Sequence, residues 1–480
     1  MRNQSGVLAA AATWTLLAWA PAMAQRMATD ADTTVRARVD RIFAQWDRTD
    51  SPGCALGVYH DGGIEYSRGY GMANLELGIA LSPQSVFDIG STSKQFTAMS
   101  VMLLARDGKL SLDDDIRKYI PELPDYAKTI TIRHILTHTS GIRDYLTLWA
   151  LAGVDDADLT TDQDALDLLS RQRELNFAPG EQWLYSNSGF FLASIIVKRV
   201  SGKTLAQFAA ERIFAPLGMT HTRFNDDHMA VVLNRATGYA PRETGAGWAT
   251  AMSNFEQTGD GAVQTSIEDM QRWDENFYTG KVGGAETIAA MQKTATLNDG
   301  KKQTYALGLM VDSYRGLHTV SHGGAWAGYR AELLRFPEQH FSVACLCNLA
   351  RTNPSQLARR VAEVYLGDRM TPAADANIVA AGRGTGAATA GSWAPTSSEL
   401  AGYAGTYESP ELETTYRLTV DSGKLMLHRR RSEPVALTPT ATDTFTAEGI
   451  SYRFVREKGR VAGFLVDAGR TKNLRFNVAK

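Results

Sequence analysis

The sequence is short of cysteine, carries no excess of either charge, and holds one long apolar run, which lies at its N-terminus. Three cysteines among 480 residues are too few for the disulfide framework of a small secreted domain. The formal net charge of −2 and the lack of long basic runs argue against nucleic acid as a partner. No later apolar run is long enough to cross a membrane. With 44% hydrophobic residues, we expect a globular protein with a large core and room for a second domain.

Residues 1–24 have the pattern of a secretory signal peptide. Arg2 gives a short positive start, and residues 7–19 form an apolar stretch that is too short and too rich in alanine for a spanning helix. Ala22 and Ala24 then flank a small-x-small cleavage site. We therefore expect export, with a mature chain that begins at Gln25 and is periplasmic or secreted.

The cysteines allow one disulfide in an oxidising compartment. Cys345 and Cys347 share one face of a strand pattern, and Cys54 opens another strand pattern. Cys54 can therefore pair with Cys345 or with Cys347, and three buried free thiols are the alternative.

Strand patterns lie at both ends of residues 25–368, and helical patterns lie between them. Strands are predicted over residues 54–59, 63–68, 318–322, 329–336 and 341–348, and helices over 34–45, from Ser91 onward, and over 355–365. This order predicts an α/β fold of the α+β type. An antiparallel sheet flanked by helices carries a large inserted helical region, and a cleft lies between the two parts.

The composition changes after residue 368. Residues 369–396 are rich in alanine, glycine and small polar residues and show no periodicity, which predicts a flexible linker. From 397 to 480, short alternating runs are separated by turn residues. That pattern predicts a small C-terminal antiparallel β-barrel.

Ser91 and Lys94 form the only S-x-x-K sequence in the chain, at the start of an apolar helical pattern. Residues three apart share one face of a helical turn, so the amine lies within reach of the hydroxyl. A lysine whose pKa is depressed by burial can take the proton of a serine and make it a nucleophile. The alternative is structural, because Thr92 and Gln95 have the spacing of a capping box. Both interpretations are compatible.

Two further motifs offer polar groups to a substrate. The sequence Y-S-N, from Tyr185 to Asn187, precedes an apolar helix; it supplies a phenol for proton transfer and an amide for a substrate carbonyl, or else an ordinary helix cap. His322, Gly323 and Gly324 end a strand pattern. The glycines allow a substrate backbone to lie along the strand edge, and the histidine presents a donor or a partial positive charge.

In this order, the three motifs resemble those of the penicillin-binding proteins and serine beta-lactamases, in the branch of the class C beta-lactamases, D-aminopeptidases and esterases. The resemblance covers roughly residues 30–368 and includes LTHTSGIRDY (residues 136–145). It implies a serine hydrolase domain over residues 25–368 that needs no cofactor or metal. It also implies that Ser91 is acylated, that Lys94 and Tyr185 move protons, and that Asn187 binds the substrate amide. Backbone N–H groups of Ser91 and Ala325 would form the oxyanion hole.

The third motif departs from the family pattern, since His322 stands where a lysine is usual. A histidine of pKa ~6.5 is mostly neutral at pH 7, which weakens the expectation of a beta-lactamase. We expect a hydrolase of small-molecule or peptide amides or esters, with peptides that contain D-amino acids or cell-wall fragments as candidate substrates. The alternatives are a carboxylesterase, a class C-like beta-lactamase, or a non-catalytic peptidoglycan-binding or sensor protein. The sequence does not indicate an oligomeric state.

Two other kinds of site are disfavoured. An α/β-hydrolase would place a G-x-S-x-G nucleophile after its glycine-rich oxyanion segment, and the chain has no G-x-S-x-G. His134 and His138 have the H-x-x-x-H spacing of a zinc site, but the glutamate of zinc proteases and a third ligand are missing. A structural role is expected for both histidines.

Overall fold

The computed structural model describes residues 34–372 and 393–479. The predicted signal peptide lies outside these residues, as does most of the predicted linker. Within these two ranges, no helix combines the length and the apolar character needed to cross a membrane.

The main domain contains the first thirteen strands of the described chain, and the C-terminal domain contains the next eight. The strands are β1 Cys54–His60, β2 Gly63–Tyr70, β3 Met72–Asn74, β4 Ile79–Ala80, β5 Phe87–Asp88, β6 Arg223–Phe224, β7 Tyr239–Pro241, β8 Trp248–Thr250, β9 Val263–Thr265, β10 Met310–Tyr314, β11 Leu317–Trp326, β12 Tyr329–Phe336, β13 Phe341–Cys347, β14 Gly405–Ser409, β15 Thr414–Asp421, β16 Lys424–His428, β17 Val435–Ala441, β18 Thr444–Ala447, β19 Ile450–Glu457, β20 Arg460–Ala468 and β21 Thr471–Val478.

Most helices lie between the two groups of strands that form the main sheet. The helices are α1 at residues 34–43, α2 Lys94–Arg106, α3 Ile132–Leu136, α4 Tyr145–Ala152, α5 Asp162–Ser170, α6 Asn187–Ser201, α7 Leu205–Ala209, α8 Ala215–Leu217, α9 Ile267–Thr279, α10 Gly284–Met291, α11 Pro354–Leu366 and α12 Ser397–Ala401.

The main sheet has six antiparallel strands in the order β10-β11-β12-β13-β1-β2. Strand β1 therefore pairs with β13 although some 280 residues separate them. Every residue of β13 is buried, because helices cover both faces of the sheet. Val39 and Val361 of the terminal helices pack on one face, and Ile267 of α9 packs on the other. The predicted fold class is confirmed.

A disulfide joins Cys54 of β1 to Cys347 of β13. The two residues are directly opposite each other in the antiparallel register. Cys345 is a buried free thiol on the same face of β13. The structure therefore has one of the two pairings that the sequence allowed.

The inserted helical region is organised around α6. This helix begins at Asn187, is buried over eleven of its fifteen residues, and packs against α2 and α3. Its apolar residues include Phe190 and Ile196, both fully buried. Burial of nearly the whole circumference indicates a central core helix, and it fixes the N-terminus of α6 beside that of α2.

Strands β14 to β21 form a closed antiparallel barrel, which confirms the predicted C-terminal domain type. Aromatic side chains fill its interior, with the rings of Phe464 and Phe476 stacked 4.9 Å apart and Tyr407 and Phe454 close by. These residues are almost fully buried. The barrel interior is thus a packed core.

Candidate active site

Ser91 lies in a single 3-10 turn, Gly90–Ser93, that leads directly into α2. The predicted capping box is wrong. The Thr92 hydroxyl donates to the carbonyl oxygen of His322, and the Gln95 side-chain oxygen accepts a hydrogen bond from Trp273. Both side chains are used in contacts with other elements, so they tie the Ser91 turn to strand β11 and to α9.

Lys94 begins α2 and is fully buried. Its amine donates to Ser91 Oγ at 3.0 Å and to Asn187 Oδ1 at 2.9 Å. A third hydrogen bond goes to the backbone oxygen of Asp260. The three acceptors use all three donors of an ammonium group, so the amine is held in one position against the hydroxyl.

Burial lowers the pKa of Lys94 to about 7, although the carboxylates of Asp260 and Asp144 oppose the shift. The same burial raises the pKa of Asp260, while Lys94 opposes it. An amine with this pKa is partly neutral at physiological pH. It can therefore accept the proton of the adjacent serine, which an ordinary lysine of pKa ~10.4 rarely does.

Tyr185 lies on the other side of Lys94, with the amine 5.0 Å from the centre of its ring. The ring packs against His138, with 4.2 Å between ring centres. Its hydroxyl is buried and has no hydrogen-bond partner among the described residues. Burial raises the pKa of Tyr185, and the neighbouring Ser91 hydroxyl and Arg470 guanidinium oppose the rise. An unpaired phenol beside a nucleophile is available to a substrate or to a transferring proton.

Asn187 is the first residue of α6 and is 4% exposed. Its backbone N–H donates to Asp144 Oδ2 at 2.6 Å, and its side-chain oxygen accepts from Lys94. The Asn187 side-chain nitrogen keeps its donors for another acceptor, such as a substrate carbonyl.

The third motif closes the site along strand β11. A Cβ atom added to Gly324 would lie 1.8 Å from the carbonyl oxygen of Ile89, and one added to Gly90 would lie 2.7 Å from the nitrogen of Ala325. The strand therefore reaches the Ser91 turn at backbone distance. Ser91 and Ala325, whose N–H groups are the predicted oxyanion donors, therefore lie on backbone segments that contact each other, and both residues line the cavity.

The environment of His322 contradicts the expectation that this residue presents a donor or a partial positive charge to a substrate. It is 5% exposed, its Nδ1–H donates to the carbonyl oxygen of Gly323 at 2.6 Å, and its Nε2 accepts from the hydroxyl of Tyr305 at 2.9 Å. Burial and the nearby Lys94 lower the pKa of His322 to about 3. The ring is therefore neutral, and both nitrogens are already engaged within the protein.

The residues converge on a cavity of about 580 Å³. The predicted site residues that line it are Ser91, Tyr185, Asn187, His322, Gly323, Gly324 and Ala325. Lys94 lies beneath Ser91. A cavity of this size accommodates a small peptide or an amino-acid derivative.

Four residues of the site were not predicted from the sequence: Asp144, Tyr145, Asp260 and Arg470. Asp144 and Tyr145 belong to LTHTSGIRDY, so that segment was a usable signal. Asp260 accepts hydrogen bonds from the Tyr145 hydroxyl, which orients its carboxylate behind Lys94. Arg470 comes from the barrel and has no local sequence signal.

The histidine pair has separate structural contacts, as expected. His134 caps α3 by accepting from the backbone of Thr131, and His138 accepts from the backbone of Ser186. Asp227, His228 and Glu256 have side-chain nitrogen and oxygen atoms within 4.8 Å of one another, and His228 lines the cavity. The hydrogen bond from His228 to Glu256 accounts for that group, and we assign it no metal.

Replacing Gly324 by alanine is expected to disrupt the site and lower stability. The added methyl group collides with the Ile89 carbonyl, so β11 must move away from the Ser91 turn. We expect a loss of roughly 1–3 kcal/mol in the free energy of unfolding and loss of most serine reactivity. Thermal melts and the rate of labelling by a fluorophosphonate measure these effects. Gly367→Ala is the matched control, because nothing lies within 4 Å of its added Cβ. Equal behaviour of the two variants would contradict the proposed contact.

The chain is similar to known proteins over more than half of its length. The pattern of the beta-lactamase family matches residues 31–368. Penicillin-binding protein 4* of Bacillus subtilis is 30% identical over 301 residues, which are 60% of this chain and 66% of that protein. A D-aminopeptidase of Brucella anthropi is 28% identical over 329 residues, 68% of this chain and 62% of that protein. The chain thus spans a little under two thirds of the length of these curated relatives.

A solved structure extends the similarity to the barrel. The octameric penicillin-binding protein homologue from Pyrococcus abyssi covers 92% of this chain, and 99% of that protein is matched. The TM-score is 0.62 at 21% sequence identity, so this comparison concerns the fold.

Proposed function

The chain belongs to the beta-lactamase family, and we propose that it is an exported serine hydrolase that cleaves small amides of D-amino acids through an acyl-enzyme. The observation that carries the proposal is the buried Lys94 amine, 3.0 Å from Ser91 Oγ. Its lowered pKa makes it a base at physiological pH.

Acylation follows from the positions of the groups. As Ser91 Oγ attacks the substrate carbonyl carbon and forms a C–O bond, its proton passes to the neutral amine of Lys94. The N–H groups of Ser91 and Ala325 stabilise the oxyanion that develops. Collapse of the intermediate breaks the C–N bond, and a proton delivered through Lys94 and the Tyr185 phenol goes to the leaving amine.

Hydrolysis of the acyl-enzyme reverses these roles. Lys94 and Tyr185 take a proton from a water molecule as its oxygen attacks the ester carbon. The Ser91–acyl bond then breaks, the free acid leaves, and Ser91 regains its proton. Asn187, whose amide nitrogen remains free to donate, orients the acyl group in both half-reactions.

The third motif supports amide substrates that carry no carboxylate where they face His322. His322 is neutral and engaged with Tyr305 and Gly323, so it offers no positive charge to the carboxylate of a beta-lactam. The similarity to a D-aminopeptidase supports D-amino-acid substrates. The signal-peptide pattern of residues 1–24 supports export and a location in the periplasm or outside the cell.

We expect the purified protein to release p-nitroaniline from D-alanine and D-phenylalanine p-nitroanilides. Rates for the L-enantiomers should be at least about 100-fold lower, because a fixed oxyanion site and a fixed Asn187 amide select one stereochemistry. The measurement is kcat/KM for each enantiomer, with Ser91→Ala as the blank.

Nitrocefin and p-nitrophenyl esters are assayed in parallel. Fast turnover of nitrocefin without turnover of D-amides would contradict the substrate class and favour a beta-lactamase. Preference for esters, with no discrimination between enantiomers, would favour a carboxylesterase.

A further inference from the structure

The barrel supplies one wall of the catalytic cavity. Arg470 lies in the turn between β20 and β21 and lines the cavity together with Ser91 and Tyr185. The turn is fixed at its backbone, since the carbonyl oxygen of Arg470 accepts from the side chain of Asn176 at 2.9 Å. The side chain of Asn176 also accepts from the N–H of Lys472 at 2.8 Å. Two hydrogen bonds to one asparagine hold the hairpin in register with the main domain.

A buried ion pair holds the barrel beside this turn. Arg143 is 1% exposed and donates to Glu411 at 2.7 Å. The same guanidinium donates to the carbonyl oxygens of Lys472 and Asn473, each at 3.1 Å. Because Arg143 precedes Asp144, which binds the N-terminus of α6, one short segment connects the barrel hairpin to the active site. Rotation of the barrel away from the main domain would leave a buried charge without a partner.

The side chain of Arg470 reaches the catalytic tyrosine. Its guanidinium carbon lies 4.6 Å from the centre of the Tyr185 ring, while Lys94 Nζ lies 5.0 Å from the same centre. The Tyr185 ring is therefore in contact with two cationic groups, one from α2 and one from the barrel. The Arg470 side chain is 45% exposed, so its contact with Tyr185 is made at the cavity wall.

Arg470 brings a permanent positive charge to the Tyr185 side of the site. Strand β11 supplies none, since His322 is neutral and bound to Tyr305. The Tyr185 hydroxyl has no hydrogen-bond partner among the described residues and would gain negative charge when it passes its proton on. The guanidinium of Arg470, held at the cavity wall beside the ring, stabilises that charge by direct attraction.

We propose that Arg470 is a positioning residue, contributed by the barrel, that stabilises the anionic form of Tyr185 and the neutral form of Lys94 during proton transfer from Ser91. This inference rests on the proposed serine-hydrolase function. It makes the C-terminal domain part of the catalytic site. The direction of the charge effect agrees, because Arg470 lowers the pKa of both Tyr185 and Lys94.

Other groups around Tyr185 belong to five parts of the main domain. The titratable and charged groups that face it are Lys94 on α2, His138 and Asp144 in the segment between α3 and α4, Asp260 before β9, Tyr305 in the loop before β10, and His322 on β11. Burial lowers the pKa of both histidines, which favours their neutral forms. Arg470 lies 3.9 Å from the carboxylate of Asp144. Its replacement removes the positive charge that the barrel brings to Tyr185 and leaves the charges of the main domain in place.

The test compares Arg470→Gln and Arg470→Lys with Arg460→Gln, which alters an exposed arginine at another hairpin of the same barrel. The measurement is the second-order rate of inactivation by a neutral fluorophosphonate between pH 5 and pH 10. For Arg470→Gln we expect the rising limb of the profile to move up by about one pH unit. The rate below that limb should fall about tenfold, since the base is protonated over a wider range.

Arg470→Lys should restore most of the profile, and Arg460→Gln should leave it unchanged. An unchanged profile in Arg470→Gln, or an equal loss at every pH, would overturn the proposal. Thermal melts identify a variant that fails to fold. If Arg470→Gln fails to fold, the test is the pH of the rising limb of the labelling rate in Arg470→Lys. Failure of the wild type to be labelled would contradict the proposed function itself, so the two failures are distinguishable.

Discussion

Ser91→Ala is expected to abolish turnover while the protein keeps its fold. The substitution removes one oxygen atom, and Lys94 retains its hydrogen bonds to Asn187 and Asp260. We expect kcat/KM to fall at least about 10⁴-fold, because Ser91 carries the hydroxyl that is hydrogen-bonded to the Lys94 amine. The melting temperature should stay within about 2 °C of the wild type. Intact mass after fluorophosphonate treatment should show one adduct on the wild type and none on the variant.

Ser93→Ala is the matched control on the same turn. Ser93 is buried, and its hydroxyl accepts from the backbone N–H of Val263 at 3.0 Å. Its loss leaves a buried donor unsatisfied and should lower stability by roughly 1–3 kcal/mol, while labelling at Ser91 persists. The two serines therefore separate activity from stability. Loss of the fluorophosphonate adduct in Ser93→Ala, or an adduct retained in Ser91→Ala, would contradict the assignment of the nucleophile and favour a non-catalytic protein.

The sequence predicted five of the six strands of the main sheet because they carry a simple pattern, whereas β10 was not predicted. Strand β12 was predicted over residues 329–336 and is found at Tyr329–Phe336, since five of its eight residues are apolar or aromatic and Gly328 and Pro337 bound it. The start of α2 was less predictable. Thr92 and Gln95 fit a capping box locally, yet their side chains bind the His322 carbonyl and Trp273. Contacts between distant elements outweighed the local preference.

The residues of the candidate site also divide into those that local sequence motifs predicted and those that depend on contacts between distant elements. Ser91, Lys94 and Tyr185 lie in short motifs, so their spacing was visible in the sequence. Arg470 stands in an ordinary hairpin turn, and its contact with Tyr185 depends on how the barrel docks. The docking depends on the buried pair of Arg143 and Glu411, which are 268 residues apart. Nothing in local periodicity or composition encodes a contact of that range.

Replacement of Lys94 tests whether the amine acts as a base or only as a charge. Lys94→Met removes both properties, and we expect the rate of fluorophosphonate labelling to fall at least about 10³-fold. Lys94→Arg keeps a positive charge but cannot lose a proton at any relevant pH. It should therefore be as inactive as Lys94→Met. Thermal melts of both variants show whether they remain folded.

The pH profile of the wild type completes this test. Because the pKa of Lys94 is lowered to about 7, the amine is protonated and inactive below that pH and becomes a base above it. The labelling rate should rise with pH through about 7 and then level off. Lys94→Arg should lack that limb, since its side chain stays charged. If Lys94→Arg kept a tenth or more of the wild-type rate, Lys94 would serve as a fixed charge, and the proton of Ser91 would have to pass directly to Tyr185.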